Sequence, residues 1–241
     1  MRVKEIFPTD LKQLSRTFKH KAECIDQTLE AHYGTPQRRR PRDPISSLIR
    51  TILSQNTSDV NSDMAFQRLK AWFPSWEDVR DAPLARVIAA IKPAGLANQK
   101  APRIQKILRQ ITEERGELTL DFLGDMSVEE ARAWLLKLDG VGPKTAAIVL
   151  LFALGKPAFP VDTHVYRVGI RLGLIPKGLS VEKAHAWMEK LVSPDRYGPF
   201  HLLLVRHGRQ ICKAQRPLCH ICSLQRWCDW FRQGRAQPAP T

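Results

Sequence analysis

The sequence predicts an all-α protein of roughly ten helices. Apolar residues recur every three or four positions along most of the chain, the strict alternation of half-buried strands is scarce, and the interruptions carry helix start signals. Thr9-Asp10 is the first such signal, and Asp43-Pro44 is the next, with Pro suited to the first helical position. It opens a stripe of Ile45, Leu48, Ile49, Ile52 and Leu53. Ser58-Asp59 starts a helix with Ala65, Leu69, Trp72 and Phe73 on its apolar face, and Ala82-Pro83 starts another. Ile104, Ile107, Leu108 and Ile111 mark a further helix. Ser127 with Glu130 three residues later forms a capping box ahead of Val128, Ala131, Leu135 and Leu138. Ala147, Val149, Leu150, Phe152 and Ala153 follow, then Val165, Val168 and Ile170, and a last cap at Ser180. Residues 34–43 and 154–161 fit loops, and the terminal QGRAQPAPT fits a frayed tail. No repeat has a solenoid period.

A chain of 241 residues holds one large domain or two small ones, and 43% hydrophobic residues suffice for a core. No apolar run approaches the length of about 18 residues that crosses a bilayer, and the N-terminus has no apolar signal segment. The expectation is a soluble, cytoplasmic protein that needs no membrane. There are 38 Lys and Arg against 24 Asp and Glu, a net charge of +14. Such a surplus favours a polyanion partner, nucleic acid ahead of an anionic membrane, over charge that serves solubility alone. The RRRPR run at 38–42 is a phosphate contact or a solvated loop.

Cys212, Cys219, Cys222 and Cys228 follow the pattern C-x6-C-x2-C-x5-C. Structural zinc sites bring two close Cys/His pairs together across a longer gap, whereas here one close pair has two outliers. A single loop around one bulky [4Fe–4S] cluster fits the spacing best. Zinc and a pair of disulfides are the alternatives, the latter disfavoured in a reducing compartment. The runs are not those of ferredoxins, which argues against a simple electron carrier. Cys24 stands apart and is expected to be a small buried side chain.

Between two helical stripes lies Leu138-Asp139-Gly140-Val141-Gly142-Pro143-Lys144-Thr145. Two glycines around Val141 permit a tight turn with positive φ, and Pro143 suits the next helix start, so the segment predicts a helix–hairpin–helix. Backbone N–H groups at such a turn and helix start make a nest for a phosphate oxygen. A contact of that kind holds a nucleic-acid backbone and reads no sequence; the alternative is an ordinary turn between helices. Lys144 falls in the first helical turn, where the dipole disfavours a cation. The position suits either an amine nucleophile or a phosphate-neutralising lysine. Asp162, in Pro160-Val161-Asp162-Thr163-His164, is an N-cap or a carboxylate that steadies oxocarbenium character at a sugar. His164 orients a phosphate or is a satisfied loop partner.

L-D-G-V-G-P-K-T-A, V-D-T-H and the four-cysteine loop, in this order, resemble the endonuclease III family of DNA glycosylases from about residue 25 to 230. The resemblance implies a six-helix barrel domain with the helix–hairpin–helix at 37–156. It implies a [4Fe–4S] domain at 1–36 and 157–241, and a cleft for double-stranded DNA between the two. Lys144 resembles the Schiff-base lysine and Asp162 the catalytic aspartate; Gly140, Val141, Gly142, Thr145 and His164 would contact DNA. Lys92 to Lys100 resembles the loop that wedges into the duplex, with Leu96 filling the space of the flipped base. Leu53 to Asp59 resembles the base-proximal helix start, where Gln55 or Asn56 would meet the opposite strand. Asp139 stands where the family usually has Pro, and Ala97 replaces a common aromatic.

The function implied is a glycosylase that removes a damaged base, by default an oxidised pyrimidine, and nicks the abasic site. It is expected to act as a monomer on damaged or abasic duplex, at the nucleoid in a prokaryote. A monofunctional mismatch thymine or uracil glycosylase and a non-catalytic cluster-bearing DNA-binding module are the alternatives. The retained Lys144 speaks against the first of these, and Lys144 with Asp162 against the second.

Overall fold

The structure, a computed structural model, describes residues 11–37 and 43–234. The Thr9-Asp10 signal, the RRRPR run and the tail beyond residue 234 lie outside the described residues. All regular structure among the described residues is helical. The chain divides into two compact units, Arg39–Ala158 and Met1–Arg38 with Phe159–Thr241.

The discontinuous unit opens with α1 (Leu11–Tyr33). The continuous unit then runs α2 (Pro44–Leu53), α3 (Asp59–Trp72), α4 (Trp76–Asp81), α5 (Leu84–Ile91), α6 (Ala97–Arg115), α7 (Val128–Leu135) and α8 (Pro143–Phe152). The first unit resumes with α9 (Thr163–Leu172), α10 (Val181–Leu191), α11 (Tyr197–Gln210) and the short α12 (Asp229–Arg232). Single 3₁₀ turns, among them Lys92–Ala94 and Cys219–Ile221, fill several connections.

Local chemistry accounts for the helix starts. The Asp43 carboxylate accepts from the Ile45 and Ser46 N–H groups at the head of α2, and Trp76 Nε1 donates to it as well. Ser58, Ser127 and Ser180 cap α3, α7 and α10 through their hydroxyls, Ser127 with the reciprocal Glu130 contact. Each such cap contributes about 1 kcal/mol. Ser75 with Asp78 forms a second capping box, at α4.

In the continuous unit α2 packs on α8 and α3, α5 on α6 and α3, α4 on α6, and α7 on α8. Ile45, Leu48, Ile49, Ile52 and Leu53 are all buried against Ile104, Ile107, Leu108, Ile111, Val149 and Leu150. Burying each such side chain contributes about 1.5–3 kcal/mol, which fixes α2, α6 and α8 as one frame. In the discontinuous unit α11 packs on α9 and α1, α12 on α9, and α1 on α10. There Asp26, buried on α1, receives both Nε and Nη2 of Arg196 at 2.6 and 3.0 Å, and Nη2 also reaches Glu30 at 2.9 Å. Burial raises the Asp26 carboxyl more than the guanidinium lowers it, so Arg196 is needed to keep the charge there tolerable.

Several side chains depart from expectation. Cys24 is half-exposed, because the buried stripe of α1 is Ala22, Ile25, Asp26 and Leu29 and Cys24 falls beside it. Trp72 is 42% exposed, at the edge of the arc that Ala65, Phe66, Leu69 and Phe73 bury, with the Arg68 guanidinium over its ring. Phe152 is only half-buried.

Candidate DNA-binding hairpin, catalytic residues and cysteine loop

α7 passes into α8 through a tight turn closed by Val141 N–H donating to Leu138 O at 3.1 Å. Gly140 takes φ +73°, a left-handed conformation that glycine accommodates without strain. Gly142 does not share it. Its φ is −96° and ψ 179°, an extended residue at the N-cap of α8, and a Cβ there would touch nothing within 4 Å. The backbone therefore needs glycine at 140 only. The Val141 N–H is used within the turn and its side chain is buried. Pro143 has no N–H to offer. The Gly142, Lys144 and Thr145 N–H groups make no hydrogen bond among the described residues and remain for an anion. The Thr145 side chain is itself buried.

Two side chains brace the turn, and a third lies against it. Gln55 Nε2 donates to Gly140 O at 3.3 Å, so Gln55 is committed to the hairpin. Lys106 Nζ stands 3.3 Å from Asp139 Oδ2 and offsets the charge of a carboxylate beside the anion-binding turn. Arg103 lies against Gly140: a Cβ on that glycine would fall 2.8 Å from its Cζ and closer still to Nε. Asn56 is exposed, with φ +52°, just past the end of α2.

Leu96 has φ +51° and is 47% exposed, an apolar side chain held outward on a left-handed residue at the head of α6. Such a conformation costs about 1–2 kcal/mol and persists only when its surroundings enforce it. Lys100 enforces it. Its Nζ is buried and donates to Leu53 O at 2.8 Å and to Ala94 O at 2.9 Å. Burial pushes this amine below its ordinary value. One buried group thus ties the loop before α6 to the end of α2. Sequence reasoning missed this residue, although Lys100 occupies the apolar register four positions before Ile104.

Lys144 lies in the first turn of α8, half-buried, with no hydrogen bond or ion pair among the described residues. Asp162 is the N-cap of α9, its Oδ1 accepting from Val165 N–H at 2.7 Å. Lys144 belongs to the continuous unit and Asp162 to the discontinuous one. His164, half-buried, receives Arg167 Nη2 on Nδ1 at 3.1 Å. Burial lowers its affinity for a proton, and accepting from a guanidinium fixes a neutral ring with the other nitrogen as donor.

The four cysteines form no disulfide and are each half-buried. Arginines of α9 hold the loop: Arg167 Nε donates to Cys212 O at 3.1 Å, and Arg171 donates to Cys212 Sγ at 3.3 Å and to the Lys213 and Ala214 carbonyls. Leu224 N–H reaches Cys222 Sγ at 3.4 Å, and His207 Nε2 lies 3.6 Å from the same sulfur. Burial raises the Cys219, Cys222 and Cys228 thiols, Cys222 to about 11, and the neighbouring thiols push the same way. No group of three or more metal-ligating side chains among the described residues stands close enough to hold a single ion. Ser223 Oγ and Trp227 Nε1, between and beside the last two cysteines, are buried without a hydrogen-bond partner. Buried donors of this kind cost about 1–3 kcal/mol each unless an acceptor arrives. The sulfides and thiolates of a cluster are such acceptors, so the residues present fit one.

The family model described as "HhH-GPD superfamily base excision DNA repair protein" matches residues 49–194. That span contains the hairpin, Lys144 and Asp162, and it defines the class: a helix–hairpin–helix base excision repair fold. The Endonuclease III of Thermotoga maritima is 39% identical over 198 residues, covering 82% of this chain and 88% of that protein. An Arabidopsis thaliana protein named as a DNA glycosylase is 40% identical over 168 residues, 70% of this chain, and the chain spans only 57% of its length. A solved structure of a non-covalent Endonuclease III–DNA complex superposes with a TM-score of 0.77 at 29% identity, covering 90% of this chain and 98% of that one. The chain belongs to the endonuclease III family.

Proposed function

We propose that this protein is a DNA glycosylase with abasic-site lyase activity that excises a damaged base, an oxidised pyrimidine by default, from duplex DNA. The observation that carries the reading is Lys144: an amine with no acceptor among the described residues, in the same first turn of α8 that leaves N–H groups open to an anion. A phosphate seated at Gly142 and Thr145 brings a deoxyribose to that amine. The Lys144 nitrogen attacks C1′ with its lone pair, its proton passing to solvent, while Asp162 supplies negative charge to the oxocarbenium-like sugar. The glycosidic bond breaks, its electron pair leaves with the base, and the base takes up a proton. The nitrogen–carbon adduct becomes an imine by ring opening. Loss of a C2′ proton then expels the 3′ phosphate, breaking the C3′–O bond. Water hydrolyses the imine and frees Lys144. Leu96 fills the vacated stack and exposed Asn56 faces the opposite strand. Cys212, Cys219, Cys222 and Cys228 hold a [4Fe–4S] cluster that organises the loop after α11, with Ser223 and Trp227 as its donors. Iron and acid-labile sulfide analysis separates this from zinc. The place of action is the cytoplasm, at the nucleoid in a prokaryote.

The test is a panel of duplexes carrying single lesions or an abasic site, with base release and strand scission scored separately. Both products on an oxidised pyrimidine, and scission of the abasic duplex, are expected. Base release without scission would replace this reading with a monofunctional one, and no product on any duplex would reduce it to DNA binding.

The hairpin glycines give a second, sharper prediction. Gly140→Ala is expected to destabilise the protein by about 2 kcal/mol, because a left-handed alanine is strained and its methyl meets Arg103. Gly142→Ala is expected to change stability by less than about 0.5 kcal/mol, its Cβ being in open space, yet to weaken duplex binding. The added methyl stands where a phosphate must approach. Urea denaturation and binding titrations of the two variants check both signs.

A further inference from the structure

Arg103 is the one hairpin neighbour whose chemistry nothing above uses. It projects from α6 onto Gly140, and its Nε is buried without a hydrogen-bond partner. No hydrogen bond or ion pair to any described residue satisfies the rest of its guanidinium. Its terminal nitrogens are not among the buried unpartnered atoms, so the tip of the fork reaches solvent. The acceptors nearby are already taken: Gly140 O by Gln55, and the Asp139 carboxylate by Lys106. A guanidinium is always charged and has five donors. The buried Nε is unmet and the terminal donors have only water, so beside an anion-binding turn the fork is open to an acceptor from outside the chain.

We propose that Arg103 is a second DNA-backbone contact of the hairpin, donating through its terminal nitrogens to the phosphate whose other oxygens meet the Gly142, Lys144 and Thr145 N–H groups. The division of labour is physical. Gln55 and Lys106 satisfy the turn's own acceptors, which removes local negative charge and leaves the Arg103 charge for the phosphate. The contact positions the duplex without reading a base, so it strengthens binding evenly across sequences and lesions. This assignment rests on the hairpin holding a phosphate, as proposed above.

The experiment is binding of a duplex with a tetrahydrofuran abasic analogue, titrated across roughly 50 to 200 mM salt, for wild type, Arg103→Met, Arg103→Lys and Gly142→Ala. Arg103→Met is expected to bind about tenfold more weakly. Its plot of log affinity against log salt should be shallower by about 1, with the same loss on undamaged duplex. Its urea midpoint should match or exceed that of wild type, since an unpartnered buried nitrogen is gone. Arg103→Lys keeps the charge and loses the fork, so it should retain the wild-type slope with part of the affinity loss. A wild-type slope in Arg103→Met overturns the assignment. So does a fall in its urea midpoint with the slope unchanged in both Arg103 variants, which would make Arg103 a prop for the turn. Full affinity in Gly142→Ala sinks the hairpin reading itself, whereas weakened Gly142→Ala beside an unaffected Arg103→Met removes Arg103 alone.

Discussion

Replacing Lys144 with Ala is expected to abolish the covalent complex that borohydride traps on abasic-site DNA. Borohydride reduces only an imine, and an imine requires a primary amine at the sugar carbon, so the trapped band reports the nucleophile directly. Strand scission should fall by a factor on the order of 10³, comparable to the loss of a positioned proton-transfer or nucleophilic group. The fold should survive, because Lys144 makes no hydrogen bond or ion pair among the described residues and is only half-buried. A circular dichroism melt matching wild type would therefore assign the loss to chemistry. Asp162→Asn separates the second role. Asn keeps an oxygen to accept the Val165 N–H and caps a helix as well as Asp, so α9 is retained while the negative charge is lost. Base release should then fall while trapping on a preformed abasic site persists in part. A trapped complex of undiminished yield in Lys144→Ala would remove Lys144 as the nucleophile.

What could be read from the chain follows the range of the forces involved. The caps at Asp43, Ser58, Ser127 and Ser180 were legible because a side chain and an N–H two or three residues away decide them. The core stripes of α2 and α6 were legible because their periodicity is strong. The left-handed turn was legible as a pair of glycines, but which of the two bears the positive φ was not. That depends on where the Val141 N–H closes the turn. A carboxylate at Asp139 is adverse beside a phosphate nest unless a cation offsets it. The lysine that cancels it stands 33 residues earlier, and only packing of α6 against the hairpin brings it near. The cysteine spacing pointed to a metal group, yet Arg167 and Arg171, which hold that loop, come from α9, more than 40 residues upstream. Side chains whose role is fixed by a distant backbone carbonyl leave almost no mark on their own neighbourhood.

Lys100 is the extreme of that class, and Lys100→Met is expected to have the largest effect on stability. Met matches the length and apolar stem of the lysine, so little packing is lost. What goes is the donor to two buried carbonyls, Leu53 O and Ala94 O. An acceptor left unsatisfied costs about 1–3 kcal/mol, so the pair sums to roughly 2–6 kcal/mol, offset slightly by no longer burying an amine. Urea denaturation should show a lower midpoint with an unchanged slope. The consequence for function is separate. With the tie gone, the segment before α6 keeps its packing on α3 and α5 but loses its side-chain link to the end of α2, and Leu96 can relax from its left-handed conformation toward the extended region. Below the temperature at which the variant melts, affinity for an abasic-analogue duplex should drop while borohydride trapping at saturating DNA stays near wild type. Wild-type stability in Lys100→Met would mean that water replaces the ammonium at both carbonyls, and Leu96 would then owe its left-handed conformation to the backbone alone.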